Sequence, residues 1–321
     1  MPETMVVRAG TRASRLALWQ TEHVIARLAQ AWPNLSFDRV RIRTLGDRVT
    51  NVPLPNIGDR GLFTRELEDG LRSGAIDFAV HSLKDLPTEQ PEGLALGAVL
   101  AREDPSDVLI SQNGRRLADL PPGARVGTSS LRRRAQVMAI RPDLDIVDIR
   151  GNVPTRIEKV QRGEYDATLL ALAGLRRLEL TGTVTEVFAS DAIVPAPGQG
   201  ALAVQVRAGD DRIQRIVATI DDIATRFATA AERRVLNALQ GGCQAPIGAL
   251  ATWTAPGVLH LVAIVAGVDG RRVLRVAEAR PVTDEREALA LGDSVAAVLA
   301  GEGAGALIRE ARQLTGAGDP T

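Results

Sequence analysis

One local event recurs through the first two-thirds of this chain and limits the folds open to it. An apolar run of strand length ends in a cluster of glycine, hydroxyl and arginine residues, and an amphipathic run of helix length follows. The strand read at Met5–Ala9 leads through Thr11, Arg12 and Ser14 into a helix over Arg15–Ala31. Ser14 is its N-cap, and Leu16, Trp19, Val24, Ile25 and Leu28 give it an apolar face. The strand Arg125–Gly127 leads through Thr128, Ser129 and Ser130 into a helix ending at Ile140. Asp145–Ile149 leads through Arg150 into a helix over Val153–Arg162. Such alternation argues for α/β units with parallel or mixed sheets. At 321 residues the chain is long for one unit. Two crossings, Arg102–Asp107 and Ile193–Gly200, set the expected boundaries: domain 1 over 1–101 and 200–218, domain 2 over 105–195. From Asp222 the pattern changes to a long helix, two strand-like runs and two further helices, a smaller α+β domain over 222–321. The stretch 46–61, rich in Pro, Gly and Asp, reads as a loop.

Cys243 is the only cysteine. It follows Gly241-Gly242 and precedes Pro246, just after the helix-like segment Ala230–Leu239. Two glycines stop a helix, and the thiol is then expected on an open turn, although a free cysteine is as a rule a small buried hydrophobe. A thiol on a loop suggests covalent chemistry.

A single cysteine rules out an internal disulfide framework and fits a reducing, cytoplasmic setting. No apolar run is long enough for a membrane span. Basic and acidic residues balance at 39 each and aromatics make up only 3%, so neither a nucleic acid nor a membrane surface is an expected partner. Lys84 and Lys159 are the only lysines, so arginine carries nearly all the positive charge, and its planar fork pairs with carboxylates at two points.

The placement of those arginines is informative. In Arg125–Arg134 the strand ends at Gly127 and the hydroxyls open a helix, where free N–H groups favour an anion. Arg132 and Arg133 sit in the first turn, where cations oppose the helix dipole unless an anion compensates them. Junctions of this kind, at Arg12 and Ser14 and again at Arg150 and Arg156, line the ligand crevice of open α/β sheets. Several together call for a ligand with several carboxylates or phosphates. No phosphate-loop lysine motif accompanies them. One acid, Asp85 in His81-Ser82-Leu83-Lys84-Asp85, also follows a strand end. It could stabilise a cationic intermediate or shuttle a proton, or else serve as a helix cap or a partner for Lys84. The three histidines have no metal-ligand spacing.

The segments GTRASRLALWQ (10–20), GDRGLFTRELE (58–68), DFAVHSLKDLPT (77–88), REDPSDV (102–108), VGTSSLRRRAQ (126–136), RGNVPTR (150–156), GEYDATLLALAGLRRL (163–178), PAPGQGALA (195–203) and GGCQAPIGA (241–249) together resemble the porphobilinogen deaminase (hydroxymethylbilane synthase) family over nearly the whole chain. The resemblance implies two hinged α/β domains like those of periplasmic binding proteins and a third domain carrying the cysteine. It implies a dipyrromethane cofactor attached covalently through Cys243 and used as a primer. Onto it four porphobilinogen units are deaminated and joined head to tail, and hydrolysis releases hydroxymethylbilane. Matched motif by motif, Asp85 is the catalytic carboxylate. Lys84, Ser130, Arg132, Arg133 and Arg150 match cofactor binders. Arg12, Ser14, Phe63, Arg156, Arg177 and Gln199 match substrate binders, with Thr128 and Ser129 as weaker candidates. The loop reads Asn56-Ile57-Gly58-Asp59-Arg60, without the lysines common in the family, and Arg15 stands where proline is common. A monomer is expected. Two other readings are a non-catalytic binder of a small polycarboxylate and a nucleic-acid module resting on Arg132–Arg134, the latter disfavoured by neutral charge and scarce aromatics.

Overall fold

The computed structural model describes residues 6–44, 64–242 and 245–315. They form two compact units. The first holds 6–44, 64–103 and 201–226, and the second holds 104–200 and the described residues from 227 onward.

The first unit is built on one five-stranded sheet. Its order is β2 (Ser36–Arg41), β1 (Val6–Thr11), β3 (Phe78–Ser82), β10 (Leu202–Arg207) and β4 (Leu94–Val99). β1 pairs in parallel with both β2 and β3, whereas β10 runs antiparallel between β3 and β4. α1 (Arg15–Ala31) and α6 (Asp211–Ala218) cover one face, with Val24, Leu28, Ile213 and Val217 packed on Val7, Phe78 and Val204. α2 (Arg65–Arg72) covers the other through Leu67 and Leu71 against Ile76 and Ala79. Covered on both faces, β3 and β10 are buried almost end to end and read as near-continuous apolar runs.

The second unit repeats this order with different segments: β7 (Asp145–Val147), β6 (Arg125–Gly127), β8 (Ala167–Ala171), β5 (Asp107–Ser111) and β9 (Glu186–Val187). β6 is parallel to β7 and β8, and β5 is the antiparallel strand. In both sheets the antiparallel strand is the first one laid down after the chain crosses over from the other unit. α3 (Leu131–Ile140), α4 (Val153–Gln161) and α5 (Leu172–Arg177) flank this sheet, with Val137 packed on Val126 and Leu169 and with Ile157 and Leu175 packed on Ile110 and Leu170.

The same unit carries a three-stranded antiparallel sheet, β11 (Ile247–Ala255), β12 (Val258–Ala266) and β13 (Val273–Pro281). α7 (Ile223–Ala238), α8 (Glu285–Gly301) and α9 (Ala304–Thr315) pack on it around Val235, Leu261, Leu291, Val295 and Leu299. β13 alternates strictly between exposed and half-buried positions, the mark of an edge strand covered on one side. The fold class expected from the sequence is the one observed: two α/β sheets and a smaller α+β part. Sequence periodicity found two of the three last strands. It missed β11 because its small residues, Gly248, Ala249 and Ala251, carry little hydrophobic signal. It also missed α6 and the two-residue β9. Among the described residues no single helix is long and apolar enough to cross a bilayer.

Candidate active site and its arginine cluster

In the first unit the strand ends gather the expected groups. β1 stops at Thr11, and Ser14 caps α1 by accepting the Ala17 N–H at 3.2 Å. β3 passes into a single tight turn, Leu83–Asp85, closed by the Leu86 N–H on the Leu83 carbonyl at 3.2 Å. Leu83 and Leu86 are buried, and the Leu83 N–H is held by the Ala201 carbonyl of the strand entry next door. Two anchored leucines therefore fix the turn and leave Asp85 between them exposed. Asp85 faces a concavity lined also by Arg12, Ser14, Gln20 and His81. Gln20 Nε2 donates to Ser82 Oγ at 3.0 Å and closes one wall. Lys84, next to the acid in sequence, is half-buried and does not line the concavity. Asp85 has no ion-pair partner among the described residues, so of the two bland readings neither the Lys84 pair nor a helix cap is what the geometry displays.

Behind Asp85 lies His81, buried on the α2 side of the sheet. Burial, reinforced by the Arg12 charge, lowers its pKa to about 4 against a smaller opposing effect of Gln205. His81 is thus a neutral imidazole near neutral pH.

The second unit treats charge differently. Gly127 ends β6 where an added Cβ would meet Ile149 Cβ and Tyr165 Cδ1 at 2.9 Å, so the chain reaches the junction only with glycine there. Thr128 Oγ1 accepts the Ser130 N–H, Ser130 Oγ caps α3 by accepting the Arg133 N–H, and Ser129 Oγ donates to the Ile149 carbonyl. The anion that the first-turn arginines call for is in the protein itself. Asp107, fully buried at the start of β5, accepts Arg132 Nη1 at 2.5 Å and Arg133 Nη2 and Nε at 2.7 and 3.1 Å. Gln199 Nε2 adds a bond to the same carboxylate at 2.9 Å. Burial opposes the charge on Asp107, but the two guanidinium groups win and hold its pKa well below the usual carboxylate range. Arg132 also donates to the Val194 carbonyl and Arg133 to that of Leu169.

This corrects the sequence reading in one respect. Arg132 and Arg133 were expected at an open, ligand-lined crevice, yet both are buried on an internal acid. Arg177 and Gln199 are likewise buried, Arg177 donating to the Gly200 carbonyl at 2.5 Å and Gln199 to the Pro105 carbonyl at 2.6 Å. The physical reason is that a strand-to-helix junction with arginines looks the same in sequence whether its anion is a ligand or a buried aspartate. Arg150 and Arg156 are the half-buried members. Arg156 Nε donates to the Gly151 carbonyl at 2.8 Å. Burial, then the charges of Arg133 and Arg150, lower its pKa to about 10. Burial also lowers the pKa of Arg150, partly offset by Asp148. Cations pushed below their usual value by burial and by one another are stabilised by any anion that joins them.

Sequence reasoning missed Asp107, His81, Gln136 and Glu232. Gln136 clamps Val194 by accepting its N–H at 2.7 Å and donating to its carbonyl at 3.1 Å. Glu232, fully buried, accepts the N–H groups of Gly198 and Ala251 at 2.7 and 2.8 Å. The available signal for Asp107 was a charge opening an otherwise apolar strand, DVLIS. Phe63, Cys243 and the stretch 46–61 lie outside the described residues. On the near side of the cysteine, Gln240, not a glycine, takes the left-handed conformation at φ 52° that ends α7. Gly241 then passes where a Cβ would meet Leu236 and Ile247 side chains at 2.6 Å.

The first unit thus presents an exposed acid with Arg12 and Ser14 in one concavity, and the second carries the half-buried Arg150 and Arg156. Two family models match, one described as "Porphobilinogen deaminase, dipyromethane cofactor binding domain" over residues 7–215, the other as "Porphobilinogen deaminase, C-terminal domain" over 227–301. The porphobilinogen deaminase of Moorella thermoacetica is 49% identical over 310 residues, covering 97% of this chain and 98% of that protein. That of Desulforudis audaxviator is 51% identical, covering 95% and 98%. The chain belongs to the porphobilinogen deaminase family. Among solved structures, the periplasmic VFT2 domain of Bordetella pertussis BvgS covers 67% of this chain and 86% of its own at 16% identity and TM-score 0.42, too distant a likeness to carry weight.

Proposed function

We propose that the chain is a hydroxymethylbilane synthase, joining four porphobilinogen molecules head to tail on a dipyrromethane primer held through Cys243 and releasing ammonia at each addition. The observation that carries this reading is the exposed Asp85, unpaired among the described residues, in a concavity with Arg12 and Ser14. The residues present fit a polycarboxylated pyrrole. The concavity contains enclosed polar atoms that lack partners among the described residues, and Arg150 and Arg156 are half-buried cations whose pKa burial lowers.

When bound, the dipyrromethane group supplies the free pyrrole carbon to which the first substrate is joined. Arg12 and Ser14 orient a substrate carboxylate. As the bond from the methylene carbon to the nitrogen of the protonated aminomethyl group breaks, nitrogen leaves as ammonia with the electron pair and the positive charge passes to the pyrrole. The Asp85 carboxylate lies against that charge and stabilises it more than it stabilises the ground state. An Asp85 oxygen then takes the proton that the joined pyrrole must shed. His81 stays neutral and does not offset the acid. Arg150 and Arg156 hold carboxylates of the primer and growing chain. Ser130 and Lys84 belong to the same binding set, whereas Arg132, Arg133, Arg177 and Gln199 are bonded to Asp107 and to backbone carbonyls and hold the frame of the second unit.

The three-domain division at 1–101 with 200–218, 105–195 and 222–321 is part of this reading, supported by the separate apolar core around each sheet. So are a cytoplasmic location, which the single cysteine suits, and a monomeric state. The experiment is to supply porphobilinogen and follow ammonia and linear tetrapyrrole together. Both should form with the natural chain, and Asp85→Asn should yield neither. Saturable binding without ammonia would make the chain a binding protein instead.

A further inference from the structure

The proposed reaction leaves two enclosed polar groups of the Asp85 concavity without a task. His81 is 6% exposed and Thr64, at the start of α2, is 2% exposed, and both line that concavity. His81 Nε2 and Thr64 Oγ1 are enclosed and have no hydrogen-bond partner among the described residues. Buried polar atoms are nearly always satisfied, because each one removed from water without a partner costs free energy. Two such atoms around one opening therefore call for something that enters it.

The surroundings narrow the choice. β10 pairs with β3 so that Ala203 faces His81, and Gln205, two residues on, shares its face of the sheet. Gln205 lies close enough to favour a protonated imidazole, yet its Oε1 is itself unpaired, while its Nε2 donates to Gln90 Oε1 at 3.0 Å. Arg12 is near enough for its charge to be felt at His81. An entering cation would be repelled by Arg12, whereas a carboxylate would pair with Arg12 and accept from an imidazole N–H and from a hydroxyl. A neutral histidine suits this place better than a second cation, since a charged one would weaken the hold of Asp85 on the developing positive charge.

We infer that His81 and Thr64 are substrate contacts, donating hydrogen bonds to the carboxylate arm of porphobilinogen that Arg12 receives. This rests on the proposed deaminase reaction. The test uses the holoenzyme labelled with nitrogen-15 in its three histidines, His23, His81 and His260, each assigned by substitution. On titration with porphobilinogen the imidazole signals of His81 should move, and those of His23 and His260 should not. In steady-state kinetics His81→Leu should raise KM about tenfold, the size of one hydrogen bond to a charged group, with little change in kcat. His81→Asn, which keeps an N–H donor, should recover most of the loss, and Thr64→Val should raise KM several-fold. Ammonia is read in the same samples. Ammonia release with motionless His81 signals, or wild-type KM in His81→Leu, overturns the contact and leaves the reaction standing. Moving signals without ammonia keep the contact and overturn the reaction.

Discussion

The two five-stranded sheets share an order but not a way of handling charge. In the second, Asp107 at the start of β5 and two arginines are sealed together, the arginines bonding to that carboxylate and to backbone carbonyls. In the first, Asp85 stands exposed on a turn pinned by Leu83 and Leu86, with unsatisfied neutral groups beside it. Similar sequence events, a strand ending among charged residues, thus produce a structural knot in one unit and a reactive surface in the other. The difference lies in whether a counter-charge is buried nearby. A compensated buried charge holds geometry, whereas an exposed and uncompensated one is left to act on a ligand.

If that contrast is right, removing the acid from each unit should break different properties. Asp85→Asn should leave the unfolding midpoint unchanged and lower turnover by about 10²–10⁴-fold, measured as ammonia release. Loss of stability with retained turnover would reverse the assignment. Asp107→Asn should do the opposite first. It leaves two buried guanidinium groups without their anion and should cost about 3–5 kcal/mol in urea unfolding at pH 7.

The acid dependence of stability sharpens the comparison further. His81 has a folded pKa near 4 against 6.5 for an ordinary histidine. Between those values the unfolded chain binds a proton that the folded chain refuses, so stability falls as pH drops from 6.5 to 4, by about 3 kcal/mol. His81→Asn should flatten that window. The contribution of Asp107 also falls with acid, but its cause is the pair of guanidinium groups and not burial. Its folded pKa is depressed, so its contribution is complete above the unfolded value near 4 and is lost only below that. The smallest effect concerns the half-buried cations. Arg156→Gln or Arg150→Gln should each weaken retention of the primer by about 1.5–3 kcal/mol, seen as a reduced fraction of modified protein with unchanged folding.

Much of the fold was legible because strand and helix periods are local. The helix over Arg15–Ala31 and the strand Arg125–Gly127 fall where the pattern puts them. Turns that need a left-handed residue were less legible. Glu179, at φ 59°, ends α5 sooner than its apolar spacing suggests. The site was legible by type of residue but not by exposure. Arg132 and Arg156 carry the same sequence signal, and only the distant Asp107 decides that the first is buried in a salt bridge. His81 was invisible as a functional group because a histidine in a strand is ordinarily core, and its unpaired nitrogen appears only once β10 and α2 are in place.

The most direct measurement is the intact mass of the protein as purified. A primer anchored on the one thiol predicts a mass above that of the sequence by a single two-pyrrole adduct, absent from Cys243→Ser. A natural chain that weighs only what its sequence dictates, yet still releases ammonia from porphobilinogen, would contradict it.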